Sequence, residues 1–214
     1  MNLDKFQNLI ELYLNQEKKQ KPKSNFLEWI NPKNKVKFTW EETTSNIYKI
    51  ANTIKENIKD GDRCLLVSEN RPEWLISDIA IMLANGVTVP AYTTYTEKDY
   101  KYLIEDCEPS MIIISNNIMH DKLKKIIDEN IFIKKIITFD EIENVDYKNK
   151  YINFNSIVEK KLEESNKIKN FSLKRNSPAC IIYTSGTGGN PKGVILSHGG
   201  ILNNLEGACE ILKP

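Results

Sequence analysis

Four short apolar runs, separated by segments with helical spacing, occupy residues 63–139 of this chain. The runs are residues 64–67, 87–91, 111–114 and 136–139, and each has the length of one strand. The first run is continuously apolar, which is typical of a strand covered by helices on both faces. Strands that alternate with helices form βαβ units. The chain is therefore predicted to be an α/β protein with a mainly parallel sheet flanked by helices.

The starts of three helices are predicted from local sequence. Thr39 and Glu42 have the spacing of a capping box, in which each residue bonds the backbone of the other. Pro72 marks the start of a second helix, since proline suits the first helical turn. Thr96 and Asp99, again three residues apart, precede a third helix.

Residues 1–62 are predicted to form a helix, a β-hairpin and a second helix. Apolar side chains recur at helical spacing over residues 3–18. Two β-type runs, residues 26–30 and 36–40, flank the turn sequence Asn-Pro-Lys-Asn at 31–34. This first part of the chain would thus lie before the βαβ layer of residues 63–140.

The segments after the βαβ layer are a predicted linker and a predicted functional segment. Residues 141–177 are polar and weakly patterned, with one short helix expected around residues 157–162. Residues 178–214 end in a helix for which Ser197 is a suitable N-cap. The apolar face of that helix consists of Ile201, Leu202, Leu205 and Cys209.

A loop rich in glycine and hydroxyl groups joins two further strand-like runs, residues 180–183 and 194–196. Its glycines let another group approach the backbone closely. Its side-chain donors are the hydroxyls of Thr184, Ser185 and Thr187 and the ammonium of Lys192. Converging donors around a positive charge favour a polyanion, and a nucleotide phosphate chain is the leading candidate. A plain glycine-rich hairpin is the alternative.

The better-known phosphate and nucleophile motifs do not fit this loop. A Walker loop needs glycine before the lysine and Ser or Thr after it, where Pro191 and Gly193 stand. A dinucleotide fingerprint also needs glycine at position 191, and a helix rather than a strand should follow. A nucleophile elbow around Ser185 needs glycine where Tyr183 stands.

The sequence Thr-Ser-Gly-Thr-Gly-Gly-Asn-Pro-Lys-Gly-Val, residues 184–194, closely resembles the phosphate-binding loop of the adenylate-forming enzymes. This superfamily includes acyl-CoA synthetases, luciferases and peptide-synthetase adenylation domains. One position departs from the family pattern, because Gly188 stands where relatives have Thr or Ser. Residues 70–74 (Asn-Arg-Pro-Glu-Trp), 80–86 and 89–92 (Val-Pro-Ala-Tyr) resemble the upstream part of the fatty acyl-CoA synthetase branch.

The resemblance implies a reaction in which a fatty acid and ATP give acyl-adenylate and pyrophosphate, and CoA then takes the acyl group. Mg²⁺ would offset phosphate charge, and the loop would hold the departing pyrophosphate. ATP, Mg²⁺ and CoA are the implied cofactors, and the implied partners are these small molecules and a fatty acid. The implied ligands of the ATP phosphates are Thr184, Ser185, Gly186, Thr187, Gly188, Gly189, Lys192 and Gly193.

The resemblance also implies a longer protein. The family continues with a second α/β subdomain, a small barrel and a mobile C-terminal domain, and these carry an aromatic-Gly-x-Thr-Glu motif, a ribose-binding aspartate and a late catalytic lysine. None of these motifs occurs in the 214 residues, so no complete catalytic set is expected here. The chain is interpreted as the incomplete N-terminal domain of a fatty acyl-CoA synthetase, inactive alone. A catalytically inactive nucleotide- or phosphate-binding module is the alternative.

Missing neighbours would leave apolar surface uncovered. Ile201, Leu202 and Leu205 are therefore expected to be exposed, and the isolated chain is expected to self-associate.

The composition of the chain limits the classes of partner and the location that can be expected for it. The net charge of +1 gives no general attraction for nucleic acid. The four cysteines are scattered without a C-x-x-C pair, which indicates reduced thiols and a cytoplasmic location. Two histidines are too few and too far apart to predict a metal site, and His198 is interpreted as structural. No signal peptide is recognisable and no apolar run approaches the ~18 residues of a membrane span, which leaves peripheral membrane contact open.

Overall fold

The computed structural model describes residues 3–30, 35–169, 171–184 and 191–212. The turn expected at 31–34 lies outside the described residues. Within them the elements follow in the order α1 (Leu9–Glu17), β1 (Asn25–Ile30), β2 (Lys35–Thr39), α2 (Trp40–Lys55), β3 (Arg63–Val67), α3 (Pro72–Leu83), β4 (Val87–Ala91), α4 (Glu97–Cys107), β5 (Met111–Ile114), α5 (Asn117–Glu129), β6 (Lys135–Thr138), β7 (Tyr151–Asn153), α6 (Phe154–Val158), a short 3₁₀ helix (Glu164–Asn166), β8 (Pro178–Thr184), β9 (Lys192–Ser197) and α7 (His198–Leu212).

Seven of these strands form one sheet in the order β7-β6-β5-β3-β4-β8-β9, and β1 and β2 form a separate hairpin. Neighbouring strands in the sheet are parallel, except that β9 runs antiparallel to β8. The predicted α/β fold with a mainly parallel sheet is therefore confirmed. The chain passes from β3 to β4 on one side and then to β5 on the other. This reversal of direction defines a crevice at the carboxyl ends of the strands, where α/β proteins bind ligands.

The central strand β3 shows why the sheet is covered on both faces. Cys64 and Leu66 point into a core built with α2 and α3, whereas Leu65 and Val67 point into a core built with α4 and α5. All four side chains are fully buried. The continuous apolar run at 64–67 is thus explained by helices on either side.

Capping side chains at two helices and a proline at a third determine where these predicted helices begin. Thr39 Oγ1 accepts a hydrogen bond from the Glu42 backbone N–H at 3.2 Å, and the Thr39 backbone N–H donates in return to the Glu42 carboxylate at 2.9 Å. Thr96 and Asp99 make the same pair of bonds at the start of α4. Pro72 is the first residue of α3. Each of these three predictions is confirmed.

The first helix is shorter than predicted, because residues 3–8 dock against α7 instead of continuing α1. The Asn8 side chain caps α1 by accepting from the Glu11 N–H at 2.9 Å, so the helix begins at Leu9. Leu3 and Phe6 are buried against Leu202 of α7.

Leu202 is consequently 0% exposed, and the prediction that it would be uncovered is wrong. The N-terminal segment supplies the cover that was expected from a missing neighbour. Ile201 is also only partly exposed, whereas Leu205 is 39% exposed.

Polar contacts fix this docking. The Leu3 N–H donates to Glu206 Oε1 at 3.1 Å, and the Leu9 N–H donates to His198 Nδ1 at 3.3 Å. Arg175 Nη1 donates to the carbonyl oxygen of Phe6 at 2.9 Å. Parts of the chain separated by 169 to 203 residues are thereby joined.

The predicted linker of residues 141–177 contains more regular structure than expected. Strand β7 pairs in parallel with β6, and α6 follows it directly, so the helix expected at 157–162 begins earlier, at Phe154. A strand of three residues is too short to show a period of two, and for this reason the sequence did not reveal β7. Among the described residues no helix is long and apolar enough to cross a membrane.

Candidate functional site

Strands β8 and β9 pair with each other and flank the predicted phosphate loop in the sequence. Strand β8 runs parallel to β4, with Thr88 facing Cys180, so its last residue, Thr184, lies at the end where the crevice opens. Thr184 is the register partner of Lys192, the first residue of β9, and both are exposed. The structure therefore brings these two predicted ligands together.

Five of the predicted ligands lie outside the described residues. These are Ser185, Gly186, Thr187, Gly188 and Gly189. Their assignment as ligands of the ATP phosphates stays a prediction, as do the roles assigned to Thr184, Lys192 and Gly193.

Gly193 has a packing reason for lacking a side chain. A Cβ atom there would lie 2.9 Å from Ile181 Cγ2 and 3.1 Å from Tyr183 Cζ, closer than carbon atoms pack. Gly193 faces Tyr183 across the hairpin, so the tyrosine ring occupies the space that a side chain would need. The sequence suggested only that this glycine admits a phosphate; the structure adds that it admits a tyrosine ring.

Two tyrosines tie the hairpin to helix α4. Tyr183 is 6% exposed, and its hydroxyl donates to Asp106 Oδ2 at 2.5 Å. Burial, together with this hydrogen bond to a carboxylate, raises the pKa of Tyr183 well above its ordinary value. The Tyr102 hydroxyl donates to the carbonyl oxygen of Pro191 at 3.0 Å. Sequence reasoning missed Tyr102 and Asp106, since nothing in their local sequence links them to the loop.

A cavity of about 540 Å³ opens beside this hairpin, at the carboxyl ends of β3, β4 and β8. Its lining residues are Ser68, Glu69, Asn70, Trp74, Pro90, Ala91, Tyr92, Thr93, Ile182 and Tyr183. The upstream segments that carry the family resemblance, residues 70–74 and 89–92, both contribute to this wall. The cavity reaches Tyr183, the residue before Thr184 on β8.

Most charged groups near the cavity have compensating partners. Arg71 donates to Glu73 at 2.9 Å and to Asp140 at 3.0 Å, so its charge is compensated. Burial alone would raise the pKa of Glu69, but hydrogen bonds, including one from Asn116 at 3.1 Å, outweigh it and hold the pKa below its usual value. Glu69 is thus ionised at neutral pH and repels phosphate groups from the cavity wall.

The described residues offer no metal site of their own. No group of three or more His, Cys, Asp or Glu side chains among them converges on one point. Of the four free cysteines, Cys107 is buried and burial raises its pKa to about 12, so it is a poor nucleophile at neutral pH. The predicted donors that the structure does describe here are the Thr184 hydroxyl and the Lys192 ammonium.

The AMP-binding enzyme family model matches residues 14–213, and this chain belongs to that family. Among curated proteins, the chain is 32% identical over 183 residues to long chain acyl-CoA synthetase 3 of Arabidopsis thaliana, covering 82% of this chain and 27% of that protein. It is 30% identical over 162 residues to fatty acyl-CoA synthetase A of Dictyostelium discoideum, covering 72% and 24%. The chain thus spans about a quarter of the length of these relatives.

Solved structures show the same fold. The anthranilate CoA ligase AuaEII in complex with anthranoyl-AMP superposes with a TM-score of 0.77 at 18% identity, over 92% of this chain and 36% of that one. A fatty acyl-adenylate ligase from L. pneumophila, in complex with acyl adenylate and pyrophosphate, gives a TM-score of 0.72 at 23% identity, over 96% and 33%. The resemblance to adenylate-forming enzymes is confirmed.

Proposed function

We propose that this chain is the N-terminal, phosphate-binding part of a fatty acyl-CoA synthetase. The observation that carries the proposal is the pairing of Thr184 with Lys192 at the carboxyl edge of the sheet, inside a sequence that resembles the family's phosphate loop. The two curated relatives named above, about 30% identical, are both acyl-CoA synthetases, which supports a fatty acid as the carboxylate substrate. The proposal includes a cytoplasmic location, favoured by four free cysteines.

The proposed role of the loop is electrostatic. In adenylation, a carboxylate oxygen forms a bond to the α-phosphorus of ATP while the bond to the pyrophosphate oxygen breaks, and negative charge grows on the leaving pyrophosphate. The Lys192 ammonium and the Thr184 hydroxyl would stabilise that charge as it develops. Mg²⁺ would arrive with ATP as part of the substrate and reduce its charge. CoA would take the acyl group in the second step, for which the described residues assign no ligand.

The position of Glu69 supports separate places for the phosphate groups and for the rest of the substrate. Glu69 lines the cavity, whereas Lys192 is the first residue of β9 and pairs with Thr184, the last residue of β8. A polyphosphate is therefore drawn to the lysine and repelled by the cavity. The cavity is left for a neutral part of a substrate, against the aromatic side chains of Trp74 and Tyr92.

A binding experiment tests the phosphate site. Calorimetric titration of this chain with ATP·Mg²⁺ and with inorganic pyrophosphate should give saturable binding. The Lys192→Ala variant should bind both about 1.5–3 kcal/mol more weakly, or roughly tenfold to a hundredfold, as expected for lost hydrogen bonds between charged groups. Lys148→Ala is the matched control, since Lys148 is also exposed but lies between β6 and β7, at the opposite edge of the sheet. Equal affinities for wild type and Lys192→Ala would contradict the assignment.

A second experiment tests whether the 214 residues act alone. We expect no fatty-acid-dependent exchange of labelled pyrophosphate into ATP, because the family's ribose ligand and catalytic lysine are not among these residues. Exchange above the no-enzyme background, abolished in Lys192→Ala, would show that this chain is itself a complete adenylating catalyst. Binding without exchange is the result that the proposal expects.

A further inference from the structure

The two ends of the phosphate loop are each held by a hydrogen bond to the same helix. At the end of β8, Tyr183 donates to Asp106; before the start of β9, Pro191 accepts from Tyr102. Tyr102 and Asp106 both belong to α4 and are four residues apart, so they lie one above the other on one face of that helix. The contacts bridge 77 and 89 residues of sequence.

The bond between Tyr183 and Asp106 joins a hydroxyl donor to a carboxylate oxygen. Hydrogen bonds to carboxylate groups are as a class stronger than those between neutral groups. The tyrosine side chain is almost fully buried, so losing the acceptor would remove the one hydrogen-bond partner that the described residues give its hydroxyl. The absence of a side chain at Gly193 gives the ring the space to reach Asp106.

The bond from Tyr102 acts on the other strand. Pro191 has no backbone N–H, so its carbonyl is the one backbone group through which it can be held. Lys192 follows immediately, and its exposed side chain projects from a backbone fixed on one side by Tyr102 and on the other by the pairing with Thr184.

We propose that Tyr183, Asp106 and Tyr102 are positioning residues, and that together they form a clamp on α4 that sets Thr184 and Lys192 for binding a polyphosphate. The inference rests on the proposed function, which it deepens. Donors that are held in place before the ligand arrives lose less conformational entropy on binding, so a clamp of this kind increases affinity without touching the ligand.

The test compares variants that remove single parts of the clamp. Tyr183→Phe and Tyr102→Phe each delete one hydroxyl and keep the ring, and Asp106→Ala deletes the acceptor. We expect each to bind inorganic pyrophosphate about threefold to tenfold more weakly, the effect of one ordinary hydrogen bond. Asp106→Asn keeps an oxygen acceptor for the tyrosine, so its affinity should stay within about twofold of wild type.

Tyr147→Phe is the control for a loss of stability alone. Its hydroxyl bonds Thr138 and the Ile142 N–H near the opposite edge of the sheet. It should lower the melting temperature and leave pyrophosphate affinity unchanged. Clamp variants that melt lower but bind pyrophosphate as wild type does would reduce these residues to a structural role and overturn the proposal.

Trypsin cleavage after the exposed Lys192, measured without ligand, separates the clamp from the proposed function. Release of either loop end should speed this cleavage at least about threefold in Tyr102→Phe and Tyr183→Phe relative to Tyr147→Phe, because proteolysis follows the population of locally open states. If wild type binds no polyphosphate, the proposed function fails and the cleavage rates alone decide the clamp. Unchanged cleavage rates together with unchanged affinities refute it.

Discussion

Adding one methyl group at Gly193 probes the packing on which the loop depends. The φ angle of Gly193 lies outside the left-handed region, so Gly193→Ala introduces no backbone strain. What it introduces is a steric conflict with Ile181 Cγ2 at 2.9 Å and with the ring of Tyr183 at 3.1 Å. Neither neighbour gives way easily, because isoleucine is stiff at χ1 and the tyrosine is held by Asp106.

The expected cost follows from two opposing effects. Overpacking of this kind costs about 1–3 kcal/mol, and replacing a strand glycine by alanine returns about 0.5–1 kcal/mol. The two ranges bracket a net loss of unfolding free energy of roughly 0–2.5 kcal/mol, with a central value of about 1.3 kcal/mol. For a chain of this size the central value corresponds to a melting temperature lower by roughly 3–5 °C.

The control is Gly207→Ala in α7, where an added Cβ meets no atom within 4 Å. This variant should be more stable by about 0.5–1 kcal/mol, since alanine is the better helix former. Thermal and urea unfolding of wild type and both variants measure the difference. A Gly193→Ala variant that unfolds at or above the wild-type midpoint would refute the close approach of Tyr183 and weaken the case for the clamp.

Three further predictions concern the rest of the chain. Leu202→Ala should lower the unfolding free energy, measured in urea, by about 2–4 kcal/mol, because it opens a cavity under the N-terminal segment. Leu205→Ala is the control, and its unfolding free energy should stay within about 0.5 kcal/mol of wild type. Equal losses in the two variants would contradict the packing of Leu202. Burial lowers the pKa of His198 to about 4. Between that pH and ~6.5 the unfolded chain therefore binds a proton that the folded chain does not. The unfolding free energy should consequently fall by about 1.4 kcal/mol per pH unit as the pH drops through this range. His198→Asn, which keeps an acceptor for the Leu9 N–H, should flatten that slope, and an unchanged slope assigns it to other groups. Finally, Ile195, 63% exposed on the edge strand β9, should promote self-association, so that Ile195→Lys raises the monomer fraction in analytical ultracentrifugation; a wild type that is already monomeric contradicts this.

The parts of the fold that the sequence predicts are those set by local physics. Leu65 and Leu66 point to opposite faces of β3 and both are buried, so a four-residue apolar run was enough to indicate helices on both sides. The capping boxes at Thr39 and Thr96 are likewise complete within four residues, and the two helices begin where the sequence predicted.

The parts that it does not predict depend on contacts between distant residues. Helical spacing over residues 3–18 is real, but Leu3 and Phe6 gain more from packing on α7 than from another helical turn, and nothing near them in sequence reveals that partner. The same holds for the candidate site. The loop residues were recognised from their local composition and from resemblance to a family motif, whereas Tyr102 and Asp106 reach the hairpin across 89 and 77 residues and carry no local signature.

The docking of residues 3–8 on α7 also fixes an order of events during synthesis. The Leu3 N–H and its acceptor on Glu206 are 203 residues apart, and at ~5–20 residues per second the ribosome needs roughly 10–40 s to make the distance between them. The βαβ layer of β3 to β6 can close within that interval, because its strands are all made before residue 139. Leu3 and Phe6 must wait for α7, uncovered on a nascent chain, so a ribosome that stalls before residue 202 leaves them available to a chaperone or to another chain.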